Sequence, residues 1–220
     1  MHCDTKGKSR FANPAAAHYL GCMTFQYDSP ENHVERRSGL SPILRASMFE
    51  LPRENWARHP AFRGEAEHWT QIHGGLLSAS ATLANWSEQM LGEDDPVKLA
   101  QMGAEVSRLG GQLVHHAHGH HHIEDDHFFP VFLRAFPQLE HALALLDGDH
   151  KVLSEVLDDL EKAVGGMAAV TRGSERQQRD AWLSAAQVLL SPARRLDALF
   201  IRHIGDEEEI CIPTMLNWRG

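Results

Sequence analysis

The sequence predicts an all-α protein, an up-down-up-down four-helix bundle with an N-terminal extension. Beyond residue 58 the apolar residues recur at spacings of three and four, the period of one helix face. The breaks between these stretches, such as "EDDP" and "RAFP", are mostly short, which places successive helices antiparallel. No alternating run competes as a strand.

Residues 1–58 are rich in Pro, Ser, Asn and Arg and hold only short apolar clusters, "HYLGCMTF" and "SPILRASMFEL". They are expected to form a mostly irregular extension, with one short helix, packed across a main domain at 59–220. The first long helix carries Phe62, Ala66, Trp69, His73, Leu76, Ser80 and Leu83 in steps of four and three. Asp95 then offers an N-cap and Pro96 a first helical residue. The second stripe is Leu99, Met102, Val106, Leu109, Leu113, Ala117, His120, Glu124, Phe128 and Val131.

Pro137 opens the third helix, whose stripe is Leu139, Leu143, Leu146, His150, Leu153, Leu157, Leu160 and Val164. Gly165-Gly166 is expected to close it as a C-cap. The fourth region starts near Ser174 with a capping-box pattern, "SERQ". "SP" at 191–192 interrupts or kinks it, and Leu196, Phe200, His203, Glu207 and Ile210 continue one face.

The net charge of −9 (21 basic against 30 acidic residues) argues against nucleic acid or an anionic membrane surface as the main partner. No apolar run approaches the roughly 20 residues that span a bilayer, and the first thirty residues lack the order of a signal peptide. Cys3, Cys22 and Cys211 form no CxxC, so neither a disulfide framework nor a zinc–thiolate site is expected. A reducing, cytoplasmic setting follows as the expectation. No oligomeric state does.

The sixteen histidines are the unusual figure, and six of them fall within 115–122. Each of the four stripes carries one histidine among Leu, Ile, Phe or Trp. Their levels agree. His150 lies 13 residues after Pro137 and Glu124 lies 13 before it, so both sit about 20 Å from the same turn at the helical rise. His73 and His203 fall at matching distances from the helix ends beside that turn. The segments "HHHIEDDHFFPVFL" (120–133) and "HIGDEEEICIPTML" (203–216) align without a gap. In each, a glutamate one turn after the histidine shares its face.

A carboxylate among leucines is costly unless it is paired or holds a metal. Two histidines per metal plus two bridging carboxylates give four ligands to each of two ions, with a bridging oxygen as a fifth. Imidazole and carboxylate without thiolate suit iron and leave manganese or zinc open.

From about residue 60 to 218 the chain resembles the hemerythrin-like, HHE cation-binding family. The residues that carry the resemblance are His73 in "WTQIHGGLL", "HHHIEDDHFFPVFL", "LDGDHKVL" and "RHIGDEEEICIPTML". The resemblance implies a four-helix bundle with a non-haem di-iron centre, oxo- or hydroxo-bridged, that binds dioxygen, nitric oxide or iron itself. By it, His73, His120, Glu124, His150, His203 and Glu207 are the metal ligands, the two glutamates bridging. No residue is assigned as catalytic.

Two departures stand out. Oxygen-carrying members have a second histidine one turn after that of the third helix, where this chain has Ser154. They also use His-x4-Asp in the last helix, where this chain has His203-x3-Glu207. Both weigh against simple reversible oxygen carriage and favour sensing, iron handling or peroxide chemistry. The expected act is therefore binding or sensing a small diatomic ligand, or iron. The alternatives are an enzyme acting on peroxide or nitric oxide, and a metal store or buffer that draws on surface histidines.

A ferritin-like site uses ExxH on two of its four helices, in a distribution that this chain does not match. Here Glu65–His68 and Glu124–His127 both lie in the first two helices, and neither tyrosine, Tyr19 or Tyr27, lies in the bundle. His115, His116, His118, His121 and His122 are expected off the stripe, solvated or at its rim, with His116 able to act as second shell to His120. The acidic clusters at 93–95, 158–161 and 206–209, Glu207 apart, are expected to be solvated, and Cys211 to be a buried structural thiol.

Overall fold

The computed structural model describes residues 25–173 and 178–218, so the predicted cap in "SERQ" lies outside the described residues. Among those residues all regular structure is helical. Two single turns, α1 (Pro42–Arg45) and α2 (Arg53–Trp56), precede the long α3 (Glu65–Leu91) and α4 (Pro96–Ile123). A π turn (Glu124–Phe128), the short α5 (Phe129–Ala135) and a 3-10 turn (Pro137–Leu139) lead to the long α6 (Glu140–Thr171) and α7 (Gln178–Asn217). The extension thus has two short helices among its described residues, where one was expected.

Local chemistry explains the start of α4. The Asp95 side chain accepts a hydrogen bond from the Val97 amide at 2.9 Å, and Pro96 follows it as the first helical residue. On α3, Ala66, Trp69, His73, Leu76, Ser80 and Leu83 are all buried, as the spacing predicts. The α6 stripe from Leu139 to Val164 is buried throughout.

Three expectations fail for physical reasons. Gly165-Gly166 does not end α6, which continues to Thr171. Two helical glycines cost about 1 kcal/mol each, but Met167, the next residue, is fully buried in the core and carries the helix past them. Pro192 does not interrupt α7, which runs through both Pro192 and Pro213. The missing amide bond is outweighed there by burial of Leu189, Ala193 and Leu196. Finally, the second stripe is not one α-helix. Pro130 removes an amide, and the Phe129 N–H instead reaches the Glu124 carbonyl five residues back. That wide turn buries Phe129 and Phe132, while Phe128 and Val131 are only half-buried.

The core has two apolar halves. One gathers Leu76, Leu113, Leu153, Leu196 and Phe200; the other gathers Trp69, Phe129, Leu146 and Ile210. Along α3 and α6 the chain passes from the second half to the first, and from α4 into α5, and along α7, from the first to the second. The long helices touch in a closed cycle: α3 on α4, α4 on α6, α6 on α7 and α7 on α3. The segment before α3 packs onto this body, Val34 joining the first half and Leu40, Leu44 and Trp56 the second. No helix among the described residues is long and apolar enough to cross a membrane.

Candidate metal centre

Each long helix changes from one apolar half to the other through a polar step. On α3, His73 lies between Trp69 and Leu76; on α6, His150 lies between Leu146 and Leu153. On α7, His203 and Glu207 lie between Phe200 and Ile210. At the end of α4 and in the π turn, His120, His121 and Glu124 lie between Ala117 and Phe129. The six residues singled out in the sequence therefore meet in one buried layer.

The side chains divide into two groups, each able to hold a metal ion. In the first, His73, His120, Glu124 and Glu207 bring ligand atoms within 4.8 Å of one another; in the second, His121, His150 and His203 do so. His73 Nε2 and His120 Nε2 are 2.9 Å apart. Glu124 straddles the groups, with Oε1 2.9 Å from His120 Nε2 and Oε2 3.5 Å from His150 Nε2. Glu207 straddles them with a single atom, since its Oε2 lies 3.3 Å from His73 Nε2 and 3.4 Å from His203 Nε2. Its other oxygen accepts a hydrogen bond from Trp69 Nε1 at 2.8 Å.

His121 was expected off the stripe, solvated or at the rim. It is 6% exposed, and its ring stacks on that of His150 with centroids 4.3 Å apart. Consecutive helical residues diverge by about 100°, so His120 and His121 straddle the inward direction and each addresses a different group. Glu124, four residues after one and three after the other, falls between them. His115, His116 and His122 are exposed and His118 is half-buried, as expected of the rest of the run.

The acids beside the glutamates were read as solvated, and this is wrong for the 206–209 cluster. Asp206 is fully buried and Glu208 is 6% exposed. Glu208 Oε1 lies 3.1 Å from His73 Nδ1. In the equivalent place of the other motif, Asp125 Oδ1 lies 2.8 Å from His150 Nδ1. Asp149 Oδ2 lies 3.1 Å from His203 Nδ1. A carboxylate can only accept, so each Nδ1 carries a proton and each Nε2 is turned inward. This is how metal-binding imidazoles are held.

Two arginines from the extension fix these acids. Arg37 donates to Asp206 Oδ2 at 2.7 Å and to Asp149 Oδ1 at 2.7 Å, and pairs with Asp149 Oδ2 as well. Arg53 pairs with Glu208 and lies 4.5 Å over the Trp56 ring. Tyr27 packs against Gly148, where a Cβ would meet its ring at 2.2 Å, and donates to Asp149 Oδ1 at 2.8 Å. A tyrosine thus does reach the layer, from the extension rather than from a long helix. None of these contacts has a sequence signal beyond the arginines and the "DH" pair themselves.

The charge balance is unusual. Burial pushes the His120 imidazole down to about 4; burial, then the neighbouring His150, pushes His121 well below its ordinary value. Both are neutral donors near pH 7. Burial also acts on His203, but its bonds to Asp149 and Glu207 prevail and raise it to about 9. Burial and the Glu207 charge raise Glu124 well above the carboxylate range. Burial alone would raise Glu207 too, yet His73 and His203 hold it well below that range. Burial pulls Asp149 up, but hydrogen bonds from Arg37 and His203 keep it low. Burial lifts the Cys211 thiol well above its ordinary value, which fits a structural thiol.

Five inward atoms are buried without a hydrogen-bond partner: both Glu124 oxygens, Glu207 Oε2, His150 Nε2 and His203 Nε2. So many unpaired nitrogens and oxygens in one layer are what an ion-binding cage leaves exposed to the ion. The donor set, imidazole nitrogen and carboxylate oxygen, suits a divalent transition metal.

An all-helical body around a buried histidine–carboxylate layer defines a cation-binding protein of the helical class. The family model described as the Hemerythrin HHE cation binding domain matches residues 64–215, and the chain belongs to that family. No curated protein and no solved structure matches it.

Arg37 tests the outer shell. Arg37→Met leaves Asp149 and Asp206 short of a buried cation, a change that costs about 3–5 kcal/mol in buried pairs and weakens metal binding roughly 10–100-fold when it loosens a ligand's support. Arg37→Lys does not restore it, because an ammonium cannot make the forked contact. Thermal melting and metal competition check both; wild-type values for Arg37→Met contradict the assignment.

Proposed function

We propose that the layer holds two iron ions within an up-down-up-down four-helix bundle, and that the protein binds or senses a small ligand such as dioxygen or nitric oxide there. The observation that carries this reading is the set of orphaned nitrogen and oxygen atoms in a dry layer. Alternation of chain direction between the two apolar halves supports the bundle topology. We take 59–220 as the bundle and 1–58 as an extension that braces His73 and His203 through Arg53 and Arg37.

One ion is assigned to His73, His120, Glu124 and Glu207. The other is assigned to His121, His150 and His203, with the same two glutamates shared. His121 then fills the role left open at Ser154, from a different helix. Bound iron supplies a redox-active Lewis acid with an open coordination position; manganese or zinc fits the same donors. The chain's own groups orient the imidazoles and enclose the layer, and before metal binds His203 holds a compensating proton.

A second reading, turnover of peroxide or nitric oxide, draws on two oxidisable side chains. Trp69 is bonded to Glu207 and Tyr27 reaches His203 through Asp149. A metal store or buffer built on His115, His116 and His122 predicts more than two ions per chain, loosely held.

Elemental analysis after iron loading and exhaustive dialysis separates these. Close to two irons per chain are expected in the wild type. His150→Ala and His121→Ala should each lose the three-histidine ion and retain about one or fewer, while His122→Ala keeps both. Full retention by His121→Ala contradicts the ligand assignment.

Metal uptake should also release protons. At pH 7 His203, raised to about 9 from an ordinary 6.5, is protonated, and burial with the Glu207 charge favours the protonated form of Glu124. Both protons must leave for a metal to bind. Affinity is therefore expected to fall steadily as pH drops from 9 to 6, with protons released into a weakly buffered indicator solution. A pH-independent affinity over that window contradicts the protonation pattern.

A further inference from the structure

A cleft of about 630 Å³ runs between α3 and α4. Its walls are Ile72, Leu76 and Ala79 on one side and Leu109 and Leu113 on the other, with Ile123 and Phe128 at one end. Gly75 and Gly119 also line it, and a Cβ at either would meet nothing within 4 Å. Trp69, His120 and Glu124 line it too. The His120 side chain is 9% exposed, against 0% for His73 and His203. The cleft therefore meets the centre at its two-histidine group, the one with fewer protein ligands.

A diatomic molecule does not require this space. A water-sized ligand takes roughly 30 Å³, about a twentieth of the cleft, whose volume matches small-organic-molecule sites of about 300–1,000 Å³. From Leu109 to His120 the apolar wall of α4 extends about 16 Å. Polar groups, His68, Gln71, Gln112, His115 and His116, lie among the lining residues. A long apolar trough that ends on metal ligands selects a molecule with an alkyl tail and an oxygen-donor head.

We infer that the cleft binds a single-chain alkyl carboxylate, its tail between α3 and α4 and its head at the His120 side of the metal pair. This rests on the two-metal reading. The two bridging glutamates leave two divalent ions with a net positive charge that attracts a carboxylate. Without metal, no cation at this end of the cleft attracts the head, and only tail contacts remain.

The test uses the full chain loaded with zinc, so that no turnover is needed, with metal content measured on each sample. Decanoate and acetate are titrated by calorimetry, and Trp69, in the lining, reports decanoate by fluorescence. Decanoate is expected to bind roughly 100-fold tighter than acetate, the ratio that burying a few methylenes gives. It should bind more weakly to metal-free protein.

Gly75→Leu and Gly119→Leu place side chains in the trough from positions where a Cβ meets nothing within 4 Å, and leucine is a better helix former than glycine. They should keep two metals per chain and acetate binding while losing at least about tenfold in decanoate affinity. Decanoate no tighter than acetate, or variants that bind it like wild type, overturns the proposal while leaving the metal centre intact. So does a wild-type dimer that the two variants convert to monomer, since the trough is then covered by a second copy. Fewer than two metals in the wild type overturns the centre itself.

Discussion

Everything in this structure answers one constraint: five imidazoles and two carboxylates share a layer inside an apolar core. Uncompensated, such burial would cost several kcal/mol per charged group. The compensation is arranged in shells. Inward, the nitrogens and oxygens converge on two points that cations can satisfy. Outward, every imidazole whose Nδ1 partner is seen rests on a carboxylate: Glu208, Asp125 or Asp149. Further out, Arg53 and Arg37 neutralise Glu208 and Asp149.

The two halves of the motif repeat share one plan. In each, the histidine and the glutamate one turn later face inward, and the next acid reaches sideways to a histidine on another helix. Asp125 of the first copy supports His150 and Glu208 of the second supports His73. The same short segment thus supplies two inward-facing donors and a brace. The copies differ where their surroundings differ. The π turn before Pro130 opens the first, whereas α7 runs unbroken through Pro213. One oxygen of Glu207 is committed to Trp69, while Glu124 keeps both free.

The helical class, the four long helices and the six expected layer residues were legible because burial is periodic. Trp69, His73 and Leu76 share a face whatever else surrounds them. His121 was not legible, because a stripe template selects one residue per turn, whereas a layer between four helices draws on both flanks of α4. The absence of a histidine at Ser154 was the only hint that another was needed. Asp206 and Glu208 were misread because an acid run usually marks a solvated face. Their burial depends on Arg37 and Arg53, more than 150 residues away in sequence. The passage of α6 through Gly165-Gly166 was hidden likewise, since it depends on what Met167 packs against rather than on local propensity.

The most direct measurement is anomalous diffraction at the iron edge from crystals of the iron-loaded protein. This account predicts two peaks roughly 3.5–4 Å apart, the separation of paired-metal sites, one beside each oxygen of Glu124, with His121 on the ion shared by His150 and His203. A single peak, or peaks only on the exposed histidines at 115, 116 and 122, would contradict it.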